Sequence, residues 1–223
     1  MRQPFTRQDL ELPLLLLLLT AIPILASVYR LVVLAITPEA GVARFDLLDQ
    51  RYFSDAAAVT LHVLPGLVFL ALGIVQFMPA VRRRSPRLHR WMGRVALLGG
   101  LVSAMALYRL AFSLPAMGGL STILGTYVFA TLMILTLVAA FRAIRQRDIA
   151  RHRAFMIRAF AIGSAVATIR VLGILGEIFL GLSFESSFGL WLWIGMTLHA
   201  AIAELILWQT MPKTGRCNVS AAV

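Results

Sequence analysis

Charge is scarce in this sequence, and acid is the scarcest part of it: 14% of the 223 residues are charged, and Asp and Glu number 10 against 21 Lys and Arg. A soluble domain has roughly a quarter of its residues charged, so this chain does not encode a surface that faces water all round. Lysine is close to absent, Lys213 being the one exception among arginines. A single cysteine, Cys217, excludes an intrachain disulfide and a thiolate metal cluster. Also missing are a glycine-rich nucleotide loop, a metalloprotease helix, a Ser-His-Asp constellation and an Asp-rich diphosphate motif, which argues against hydrolysis and phosphoryl transfer.

Apolar sequence fills the space. Hydrophobic residues make up 60% of the chain, and the mean hydropathy is +0.85. Six runs, at 12–36, 56–78, 91–113, 119–141, 154–180 and 188–210, are each long enough to cross a hydrocarbon layer of about 30 Å, which takes about 20 helical residues. Backbone groups in lipid must be satisfied within the chain, and no alternating barrel pattern is present, so the runs are expected to be helices. The expected fold is all-α: a polytopic membrane bundle of six transmembrane helices, one domain over 1–223 ending in a polar tail at 211–223. The run "LPLLLLLLTAIPILAS" after Arg2 and Arg7 resembles a secretory signal but continues to Ile36, so a retained signal anchor is expected.

The net charge of +11 would suggest nucleic acid in a soluble protein. Here the arginines cluster in short loops and read as topology, so no nucleic-acid partner is expected. Arg82, Arg83, Arg84, Arg87 and Arg90 lie between the second and third spans; Arg142, Arg145, Arg147, Arg151 and Arg153 lie between the fourth and fifth. The loop after the first span instead holds Glu39, Asp46, Asp49 and Asp55 against Arg44 and Arg51. The positive-inside rule then places both Arg loops and both termini in the cytoplasm, in a multi-pass membrane protein.

Ionisable groups inside the spans need a reason, since each costs about 2.5 to 3.5 kcal/mol on insertion scales. Arg30, Arg109 and Arg170 fall on three helices at a similar height, about 24 to 27 Å above the cytoplasmic ends. Two share a context, "VYRL" and "LYRL", and Glu177 and His62 are plausible neighbours. Such a layer either snorkels to the outer headgroups or faces inward as a site for an anionic small molecule, a quinone or a lipid headgroup. Glu204, in the inner half of the last span, calls for Arg94 or Arg158 as its counter-charge.

The four histidines make a second constellation. His89 and His152 each open a span at the cytoplasmic side, followed by Arg94 and Arg158 respectively, while His62 and His199 lie deeper. Imidazoles paired between helices at one level are what a six-coordinate b-type haem requires, with arginines suited to its propionates. His89 with His152 is the inner candidate pair and His62 with His199 the outer. The alternative is that the inner two belong to the basic flanks and the outer two hydrogen-bond between helices.

The stretches "LHVLPGLVFLALGIVQF", "LHRWMGR" and "ARHRAFMIRAFAIGSAVATIR", with the Arg loop among them, resemble the bacterial membrane family known as domain of unknown function 2306, over His62 to Arg170. A more distant similarity is to cytochrome b561, at His62 and at His89 with Gly93 and Arg94. That resemblance implies haem ligands on consecutive helices, although the fourth span here has no histidine. Two functional expectations follow. One is transmembrane electron transfer through one or two haem b groups between a quinol or other small reductant and an acceptor. The other is a non-haem carrier, enzyme or partner subunit that uses the arginine layer.

Overall fold

The computed structural model describes residues 8–38, 41–42, 47–113 and 117–210. Arg2, Arg7, Glu39, Arg44, Asp46 and the polar tail with Lys213, Arg216 and Cys217 lie outside those residues, as do the parts of the signal-anchor and orientation readings that rest on them. The described elements are all helical: α1 (Gln8–Ile36), α2 (Leu47–Ser54), α3 (Ala56–Gln76), α4 (Pro79–Arg84), α5 (Pro86–Ser113), α6 (Gly119–Arg145), α7 (Ile149–Leu180) and α8 (Phe184–Thr210). Six of them, α1, α3, α5, α6, α7 and α8, are long and apolar enough to cross a membrane. The all-helical class and the six spans expected from the sequence are those observed.

Several span boundaries differ from the expected ones, most of all at two helix starts. α5 begins at Pro86 and α7 at Ile149, each about a turn or more before the apolar run starts. Proline is well placed at the first position of a helix, where its missing N–H would have had no partner. Asp148 caps α7 by accepting the Arg151 amide at 3.0 Å. Arginine is a good helix former, so the helices run on through the charged flanks. α7 stops at Gly181, whose φ of +64° is the left-handed value that ends helices and favours glycine.

α7 is the hub of the bundle. It packs against α1, α3, α6 and α8, and half of its most apolar stretch is buried. α3 and α5 form the most extensive helix pair. Gly99 lets them close, since a Cβ there would stand 2.7 Å from the Pro65 carbonyl oxygen. Phe69, Phe77 and Phe160 stack in the core between α3 and α7, with ring centroids 5.1 to 6.0 Å apart. A second cluster of Phe129, Ile169, Trp191 and Leu192 joins α6, α7 and α8. Leucines such as Leu18 and Leu25 of α1 remain exposed, as a lipid-facing surface requires.

Candidate functional site

The bundle has an arginine-rich end, formed by the α3–α5 and α6–α7 connections, and an opposite end covered in part by α2. At that opposite end the three arginines expected to form one layer go three ways. Arg109 of α5 points outward, with 70% of its side chain exposed, and donates from Nε to Asp55 at 2.8 Å. The guanidinium of Arg109 holds the Asp55 carboxyl below the usual carboxylate range, with help from the Ala58 amide that Asp55 caps. Arg30 of α1 lies over the Tyr52 ring of α2, 3.8 Å from its centroid. Arg170 of α7 is partly buried, and among the described residues it has no hydrogen bond and no ion pair.

Arg170 is nevertheless surrounded. Tyr52, Arg30 and His62 all lie within electrostatic reach of its guanidinium. Glu177, expected as its counter-charge, is on the exposed face of α7 and makes no ion pair with it. Tyr52 is therefore a member of the site that no apolar run announced. It is delivered by α2, which is anchored to α8 by an Arg51–Glu185 ion pair.

Hydrogen bonds fix the tautomers of three of the four histidines, His62, His152 and His199. His62 donates from Nδ1 to the Ser103 carbonyl at 3.0 Å, and Ser103 Oγ in turn donates to the His62 carbonyl at 2.8 Å. A carbonyl oxygen only accepts, so Nδ1 carries the proton and Nε2 keeps a lone pair. His199 donates from Nδ1 to Ala161 O at 3.1 Å, and its Nε2 accepts from Thr168 Oγ1 at 2.8 Å. His152 donates from Nδ1 to Ala140 O at 2.9 Å. His89 is within electrostatic reach of His152. Ser103 and Ser164 both make hydrogen-bonding contacts to a histidine.

This geometry bears on a bis-histidine haem. His199 has both ring nitrogens engaged by the protein, which leaves none for iron, so the outer His62–His199 set does not fit the group. The propionate partners are engaged too. Arg158 makes a two-pronged pair with Glu204, Nε to Oε1 at 2.5 Å and Nη2 to Oε2 at 2.8 Å. Arg94 lies 5.6 Å from the Trp91 ring centroid. The sequence left Arg94 and Arg158 both open as partners for Glu204; the structure selects Arg158. Among the described residues no group of three or more His, Cys, Asp and Glu side chains is placed to hold a metal ion.

Six long apolar helices, one of them the hub against which four others pack, with polar groups paired across helix interfaces, define a polytopic integral membrane protein. Residues 59–207, more than half of the chain, match the family model described as "Predicted membrane protein (DUF2306)". The chain belongs to that family. No curated protein and no solved structure matches it. The matched range includes His62, Arg170 and the inner histidines, but not Arg30 or Tyr52.

Proposed function

We propose that the protein binds a lipid-soluble molecule through an electron-rich oxygen of its head, a carboxylate or a quinone carbonyl, at Arg170. The observation that carries this reading is the guanidinium itself: it is set among helices and, among the described residues, has neither hydrogen bond nor ion pair. A guanidinium presents five donors in a planar fork, and a charge inside a membrane protein without a counter-charge is costly. Arg30 nearby adds a second positive charge, so an anion or polarised carbonyl between the two relieves their repulsion. Tyr52 adds a hydroxyl, and His62, with its proton committed to Ser103, offers a lone pair that accepts from a hydroxyl or a protonated quinol oxygen. The role is binding and presentation, as carrier, enzyme or partner subunit.

The test is thermal melting of the purified protein in detergent with dodecanoate and with decylubiquinone. At least one is expected to raise the melting temperature, and Arg170→Gln is expected to abolish the rise. The reading fails if neither compound shifts the wild type, or if the variant responds as the wild type does.

A further inference from the structure

At the arginine-rich end, Nδ1 of His89 and Nε2 of Gln76 are buried without a hydrogen-bond partner among the described residues. They come from different helices but face one place. Gln76 is the last residue of α3 and His89 lies in the first turn of α5. Gly93 is one turn above His89 on the same face of α5, and a Cβ there would stand 3.2 Å from Gln76 Oε1. The missing side chain of Gly93 leaves room for the amide beside the imidazole. His152, at the start of α7, lies within electrostatic reach of His89, and its Nδ1 proton is already engaged by the Ala140 carbonyl.

The field at this place is positive. The groups that act electrostatically on His89 are Arg82 of α4, Arg90 of α5 and His152 of α7. Arg82 and Arg90 are both exposed side chains, free to turn toward a ligand. Buried polar atoms in native proteins nearly always have a partner, and two orphans within about one turn of α5 mark a position that something polar fills. A cation there would meet Arg82 and Arg90, and an apolar group would leave the N–H groups unsatisfied.

We infer that this end of the bundle binds a phosphate-type oxyanion between Gln76 and His89, with Arg82 and Arg90 supplying the counter-charge. The amide and the imidazole N–H each donate to one oxygen. Charge-assisted bonds of this kind are the strong ones, and basic pockets between membrane helices suit phosphorylated headgroups. The same chemistry is offered by the phosphodiester of an anionic phospholipid and by free phosphate. This site lies at the other end of the bundle from Arg170 and stands independently of the function proposed there.

The experiment uses the full chain purified in phosphate-free buffer, with melting followed in two arms. One titrates inorganic phosphate; the other compares reconstitution into phosphatidylcholine alone with an equal mixture of phosphatidylcholine and phosphatidylglycerol. A shift confined to the first arm assigns the site to free phosphate, and a shift confined to the second to lipid; either supports it. Gln76→Glu places a carboxylate in the site and is expected to weaken the response at least about tenfold, the weight of one charge-assisted bond. Gln76→Met removes the orphaned amide, so in the absence of anion it is expected to melt no lower than the wild type while losing the response. The inference is overturned if neither arm shifts the wild type, if Gln76→Glu responds undiminished, or if the protein carries a haem absorption band that His89→Ala removes.

Discussion

Asp55 does two things with one carboxylate: it caps α3 through the Ala58 amide and receives Arg109 from α5. Both interactions favour the ionised form, so its folded-state pKa lies below the ordinary value of 3.8. The stability it contributes is complete above its unfolded pKa and is lost as pH falls through the lowered folded value. Melting between pH 7 and pH 3 should therefore show the wild type losing its advantage over Asp55→Asn at the acid end, with a constant gap at and above about pH 5. The residue scale is also where the sequence is hardest to read. Arg30 and Arg109 share the context Tyr-Arg-Leu, yet one lies on Tyr52 and the other reaches Asp55. Height along a helix follows from counting residues; direction around it depends on which neighbour packs there. Arg158 and Glu204 make the same point, because both Arg94 and Arg158 were within range by depth and only helix packing decides between them. Glu204 is 58% exposed and Arg158 32% exposed, so the pair sits on the flank of an apolar span; removing the carboxylate leaves the guanidinium unpaired there, and Glu204→Gln is expected to destabilise the protein by about 1 kcal/mol, measured by denaturation in detergent. A change of a few tenths would show the pair to be ornamental.

At the scale of elements, hydropathy identified all six long helices, because a span must be apolar along nearly its whole length. It missed α2 and α4 for the same reason. The α2 sequence, "LLDQRYFS", is short and mixed, so nothing in its composition separates it from a loop, yet it brings Tyr52 to the site. The early starts of α5 and α7 were hidden by the arginines that also set the topology, and so were the helical positions of His89 and His152. The close approach of α3 and α5 rests on Gly99, where the structure gives a distance. Gly99→Ala would press a methyl group against the Pro65 carbonyl of α3, and overpacking of this kind costs about 1 to 3 kcal/mol. Chemical denaturation of this variant should show that loss; full stability would mean that α3 and α5 separate at little cost.

For the whole molecule, the polar groups sort by helix and by end. α7 carries Arg170 toward the α2-covered end, Ser164 and Thr168 for His199 at mid-height, Arg158 for Glu204 below, and His152 at the arginine-rich end. One central helix thus pairs its polar side chains with its neighbours at most levels and leaves Arg170 open. Whether a ligand sits at that guanidinium is decided by native mass spectrometry of the protein with decylubiquinone or dodecanoate. The wild type and Arg109→Gln, whose arginine is turned outward to Asp55, should each retain a bound molecule, and Arg170→Gln should lose it. A bound molecule that persists in Arg170→Gln, or no adduct with either compound in the wild type, would contradict binding at Arg170.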